Sequence, residues 1–160
     1  MRDDVAQLLA DARRRLASAP REALGAIEEP GRVRRLLGGG ARIVRVGAVW
    51  RVGVLLIGDD AVHQEGEVLR AVDPGRRGYT AESARRRAEL RAMAVRGGFD
   101  RGETVHLGWR PLDLSAPADG PLVLDREVPL IRWTAAGALM PLAAYLSERI
   151  DLLLDPPAGT

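Results

Sequence analysis

The chain contains no cysteine and no lysine. Without thiols it can form no disulfide, no zinc–thiolate centre and no cysteine nucleophile. Without lysine it lacks the amine that completes a phosphate-binding glycine loop or activates a neighbouring serine. Histidine is scarce too: His63 and His106 stand 43 residues apart with no carboxylate at a fixed spacing. No metal site and no cofactor are expected from that pattern. Aromatic residues make up 4% of the chain, so leucine, valine, isoleucine and alanine must build the core. Few large rings remain to anchor a partner or stack on bases. The longest apolar run, Val52 to Ile57, is far shorter than the roughly 20 residues a membrane-spanning helix needs. The start, Met1-Arg2-Asp3-Asp4, has no apolar segment of the secretory kind. A cytoplasmic protein with no membrane contact is expected.

What is present is ordinary globular material. In 160 residues, 46% are hydrophobic and 29% charged, which suits one domain spanning 1–160 rather than a disordered chain. All 24 basic residues are arginine, set against 22 acids, for a net charge of +2. The pI near 9.9 therefore overstates the basic character, because only Tyr79 and Tyr145 lose a proton near pH 10. Nucleic-acid binding is not expected. Charge is nonetheless uneven along the chain, at +5 over 1–58, +1 over 59–102 and −4 over 103–160. The plain explanation is chance, in a chain with an Arg-for-Lys bias of composition. The functional alternative is a homo-oligomer in which the basic end of one copy meets the acidic end of another.

The periodicity of residues 3–17 predicts an amphipathic helix, with Val5, Leu8, Leu9, Ala12 and Leu16 on one stripe. Pro20 is read as the start of a second short helix through Ala23, Leu24 and Ile27, giving a helical segment over 1–30. After Gly38-Gly39-Gly40, the valine-rich stretch 42–57 reads as a hairpin turning at Gly47-Ala48, followed by a third strand over 61–71. A helix is expected over 81–96, capped by Thr80 and ended by Gly97-Gly98. Then come a strand over 103–110, a hairpin pairing 121–125 with 128–133, and a last helix from Pro141 to about Leu154. The tail, 155–160, is expected to be disordered. The predicted fold class is thus α+β, an antiparallel sheet of two three-stranded units in the order ααβββαβββα, with helices mainly on one face.

The candidate chemistry is an anion site. Arg76 and Arg77 occupy a glycine-flanked loop directly before a helix, with Thr80 at its cap, and unpaired helix N–H groups together with guanidinium forks favour carboxylate or phosphate. Strand alternation puts His106 and Arg110 on one face, where they could complete the site or simply line the solvent side. The plain alternative for the arginines is a solvated loop paired with Asp73 or Glu82. Arg85-Arg86-Arg87 fans around the following helix and reads as a solvated face. The glycine triplet at 38–40 is a connector, and the serines lie in no Gly-x-Ser-x-Gly elbow.

The segments Arg76-Arg77-Gly78-Tyr79-Thr80-Ala81-Glu82-Ser83, Arg96-Gly97-Gly98-Phe99 and Val105-His106-Leu107-Gly108-Trp109-Arg110 carry a resemblance. The chain resembles a group of short proteins from high-GC bacteria that commonly carry the label glutaminase, from about residue 42 to the final helix. That group supplies no catalytic residue to carry over. Serine glutaminases rely on Ser-x-x-Lys and glutamine amidotransferases on cysteine, and neither is available in this chain. Two expectations follow. The first is a non-catalytic binding or interaction protein that self-associates. The second is a glutaminase-like amidohydrolase, or an enzyme or sensor acting on a small anion through Arg76, Arg77, Thr80, His106 and Arg110.

Overall fold

In the computed structural model, residues 2–70, 81–115 and 120–157 are described. In chain order the elements are α1 (Arg2–Leu16), β1 (Glu22–Glu28), α2 (Arg32–Leu36), β2 (Arg42–Val52), β3 (Leu55–Ile57), β4 (Val62–Gln64), β5 (Glu67–Arg70) and α3 (Ala81–Arg96). There follow β6 (Thr104–Leu107), β7 (Arg110–Pro111), β8 (Leu122–Asp125), β9 (Val128–Arg132), β10 (Leu139–Pro141) and α4 (Leu142–Leu154).

The class is α+β, but the sheets are not two three-stranded units. Seven strands follow the order β5-β6-β1-β2-β3-β4-β7, and three more form β10-β9-β8. The larger sheet is mixed, because β1 runs parallel to β6, with Ala23 opposite Val105 and Leu24 opposite His106. The chain divides into two compact units. One comprises 1–21, 49–65 and 110–160, and the other 22–48 and 66–109. Strand β2 runs through that division at Ala48.

In the first unit, α1 packs on α4, and α4 packs on β9 and β10. The core is one cluster: Val5, Leu9, Ala12 and Leu16 from α1, Trp50 and Val52 from β2, Leu55 and Ile57 from β3, and Leu142, Tyr145, Leu146 and Ile150 from α4, among others. Of the stripe expected on α1, Val5, Leu9, Ala12 and Leu16 are buried and Leu8 is partly buried. The turn from β2 to β3 falls at Gly53-Val54, not at Gly47-Ala48. Gly53 has φ +59, the value a type II′ hairpin needs at its first central residue. The hairpin expected at 121–133 is present, turning at Arg126-Glu127 with both φ positive. Strand β10 adds a third member that the sequence reading did not contain.

The second unit holds a smaller core of Ala23, Ile43, Leu69, Leu90, Ala94, Phe99, Val105 and Leu107. Helix α3 has its expected bounds. It ends in a Schellman motif, with Phe99 N–H donating to Ala94 O and Gly98 N–H to Val95 O, and with Gly98 at φ +88. The second helix expected after Pro20 is instead β1. Its Ala23 and Gly25 lie against β6 so closely that a Cβ on Gly25 would meet Val105 Cγ1 at 2.6 Å. The strand expected over 61–71 is two, β4 and β5. They are separated at Gly66, whose own backbone lies against the main chain of Leu107 and Gly108.

Candidate functional site

The loop residues Arg76, Arg77 and Thr80 lie outside the described residues. The other two candidates are placed, and they do not share a partner. His106 sits in β6 between β5 and β1, opposite Val68 on one side and Leu24 on the other. Its neighbours Val105 and Leu107 enter the core on one face of the sheet, and His106 lies on the other face at 0% exposure. The expectation of a solvent-facing row is therefore corrected. A strand flanked on both edges can be covered on both faces, and alternation alone does not tell which face is wet. His106 Nε2 meets the Glu22 carboxylate, whose side chain is 30% exposed, while Nδ1 has no hydrogen-bond partner among the described residues. Glu22 lies on the same face of β1 as Leu24, two residues before it. That signal was available only once 22–28 was read as a strand.

Arg110 is exposed in β7, and its Nη2 donates to Gln64 Oε1 at 3.4 Å. The other histidine, His63 in β4, is half-buried, and desolvation pulls its pKa below the ordinary imidazole value. It is set for the neutral form. Among the described residues no group of three His, Asp or Glu side chains could hold a metal ion. No described helix is long and apolar enough to cross a membrane.

Arginine does most of its work on surfaces. Arg21 lies 3.9 Å over the Trp50 ring and forks onto Asp59 with bonds of 2.9 and 2.7 Å. That hydrogen bonding holds the Asp59 carboxyl below the usual range. On α3, Glu82, Ser83, Arg85, Arg86 and Glu89 line an open hollow of about 550 Å3, and Arg86 pairs with Glu67 at 3.2 Å. Signs are mixed there, as a solvated face requires.

The surface that stands apart is α2, an element the sequence reading passed over between Pro30 and the glycine triplet. Its start is a bond from Arg35 N–H to Gly31 O. Its end is a second Schellman motif, with Gly39 N–H donating to Arg34 O, Gly38 N–H to Arg35 O, and Gly38 at φ +77. Glycine therefore closes this helix for the same backbone reason that it closes α3. Nothing on α2 is buried. Val33, Leu36 and Leu37, spaced i, i+3 and i+4 on one face, are 70%, 87% and 81% exposed. Arg34 reaches Glu28 at 3.6 Å, and Glu28 also accepts from Arg42 at 2.7 Å. Arg32 and Arg35 have no carboxylate partner among the described residues.

The chain matches no family model, no curated protein and no solved structure. No relative supplies a role.

Chemistry must then be argued from the residues. A fully exposed aliphatic side chain forgoes roughly 1.5–3 kcal/mol of burial free energy. Three on one short helix amount to an unusual concentration of unmet apolar surface. Arg32, four residues before Leu36, stands beside the stripe.

Proposed function

We propose that this protein is an interaction protein whose docking element is α2, and that its partner presents an apolar surface rimmed by carboxylates. The observation that carries the reading is the exposure of Val33, Leu36 and Leu37 on a helix that buries no residue of its own. A helix held by its glycine caps and one ion-pair cluster, rather than by packing, is positioned to offer its apolar face outward. Affinity would come from those three side chains, and selectivity and encounter rate from Arg32 beside Leu36.

Fluorescence anisotropy with acidic leucine-rich peptides, alongside matched basic peptides, tests this reading. The acidic set binds and the basic set does not. The variant Leu36→Ser/Leu37→Ser weakens binding by roughly tenfold or more, with an unchanged melting temperature because α2 contributes nothing to the core. Equal binding of both peptide sets, or undiminished binding by the variant, overturns it.

A second reading keeps one observation. The wholly buried His106 ring, held through one nitrogen by a partly exposed carboxylate, resembles the oriented imidazole of an acid–base site. On that reading the protein is an enzyme or sensor for a small anion, in line with the glutaminase-labelled proteins it resembles. Ammonia release from glutamine, together with a thermal-shift screen over phosphate, nucleotides and amino acids, tests it. No release and no shift retire it.

A further inference from the structure

A hollow of about 360 Å3 in the first unit has the complementary character that α2 demands. Its floor is apolar, formed by Leu8 of α1, Val128 and Pro129 of β9, and Pro141 at the β10–α4 junction. The two charged residues that line it, Asp4 and Glu127, are both acidic. Arg126, next to Glu127 in the hairpin turn, does not line it. An apolar cavity of about 150 Å3 accommodates one benzene molecule, so this hollow has room for two leucine side chains. The stripe on α2 offers Leu36 and Leu37 side by side, with Val33 one turn earlier and Arg32, four residues before Leu36, at its margin. An arginine with no carboxylate partner among the described residues and an apolar hollow lined by acidic residues are the matching halves of a contact.

From this complementarity we infer that the partner of α2 is a second copy of this chain, whose hollow of Leu8, Val128, Pro129 and Pro141 receives Leu36 and Leu37 while Glu127 meets Arg32. The inference rests on α2 being the docking element and adds the identity of what it docks into. It also gives a local cause to the charge asymmetry of the sequence, since α2 lies in the +5 segment and Glu127 in the −4 segment. The two surfaces differ, so the contact is heterologous. Each copy keeps one free prong and one free hollow, and association continues until a ring closes or a chain grows.

That geometry makes the inference testable without knowledge of the final assembly. Sedimentation of the full chain shows mass rising with concentration, and more steeply at low salt. Leu36→Ser/Leu37→Ser removes the prong, and Ala143→Arg/Glu127→Arg fills the hollow and reverses its charge. Each variant alone is a monomer with a melting temperature near that of the wild type. An equimolar mixture of the two retains a single productive contact, from the prong of one to the hollow of the other, and gives a 1:1 dimer and nothing larger. The charge pair is read separately: Arg32→Glu and Glu127→Arg each weaken association by roughly tenfold, and the double reversal restores most of it. A wild-type chain that stays monomeric at every concentration, or a mixture that forms no dimer, overturns the inference. If the monomeric chain still binds acidic peptides through α2, the docking role stands and only the identity of the partner falls. If α2 instead binds vesicles of anionic phospholipid and no second copy, both the partner and its class are overturned.

Discussion

Each unit buries a polar ring at its heart, Tyr145 in the first and His106 in the second, and the two are bonded differently. In the first, the Tyr145 hydroxyl accepts from Val54 N–H at 2.8 Å and donates to Val52 O at 3.3 Å, so it staples α4 to the β2–β3 turn. In the second, His106 is just as buried, but among the described residues only its Nε2 is bonded. A buried polar group with all its bonds made fixes a structure, whereas one left half-paired carries an uncompensated desolvation cost. The first unit should therefore be the more tightly determined, and the second should hold the weaker points.

Core truncation gives the largest effects and the bluntest test. Ile131→Ala, in the larger cluster, should cost about 3–5 kcal/mol, and Leu90→Ala, on the buried face of α3, about 2–3 kcal/mol, both read from urea midpoints. The contrast breaks if Leu90→Ala proves the costlier. Hydrogen exchange sharpens it: Leu90→Ala should speed exchange in the second unit first, through local rather than global opening.

Next is Gly53→Ala. A Cβ at that position would stand 1.9 Å from the Tyr145 hydroxyl, on a residue at φ +59. The expected loss is about 2–3 kcal/mol, the sum of backbone strain and overpacking. Combining it with Tyr145→Phe should be less than additive, because the second change removes the atom in the way. Simple additivity would show that the hydroxyl does not hold the turn.

How much of this was legible in the sequence follows physical lines. Helices α1, α3 and α4 were, because each carries a 3.6-residue apolar stripe or a glycine stop that depends on no distant partner. The 121–133 hairpin was legible from its short turn. Strand β1 was not: Glu22, Ala23 and Leu24 are good helix formers, and only parallel pairing with β6, more than 80 residues away, makes them extended. Gly25 was the overlooked clue, since glycine inside a strand often marks a close approach of another chain segment. The turn was assigned to Gly47 although Gly53 was equally available, and local sequence does not choose between two glycines. Among the site residues, His106 lies on the expected face, opposite Val105 and Leu107, but its burial there was not legible because it depends on β1. Helix α2 was missed because two exposed aliphatics in a five-residue helix, with a third at its cap, violate the burial pattern by which helices are recognised.

The His106 pairing gives an effect of middle size. Glu22→Ala leaves a buried imidazole without its carboxylate, and about 1–2 kcal/mol of stability should go with it. His106→Leu removes the polar ring itself, so once it is present Glu22→Ala should cost much less. If Glu22→Ala is equally costly in both backgrounds, the carboxylate acts elsewhere and the second unit is not limited by its half-paired ring.

The smallest effect is read in the pH dependence of the first unit. Burial raises the Tyr145 pKa above its ordinary value near 10, because the phenolate would lose water that Val54 N–H alone does not replace. Below pH 10 the phenol is neutral in both folded and unfolded chains, and its contribution is fully present. Above pH 10 the unfolded chain ionises first, and stability falls as pH rises toward the folded-state value. In most proteins lysine and cysteine titrate across the same range and hide such a slope. This chain has neither, and its one other phenol is Tyr79. Urea midpoints from pH 9 to 11 should therefore decline in the wild type and flatten in Tyr145→Phe, whatever constant offset the lost hydrogen bonds add. An equal decline in both would place the alkaline sensitivity outside the first unit's core, and would leave the twice-bonded hydroxyl no tighter a constraint than the half-bonded imidazole.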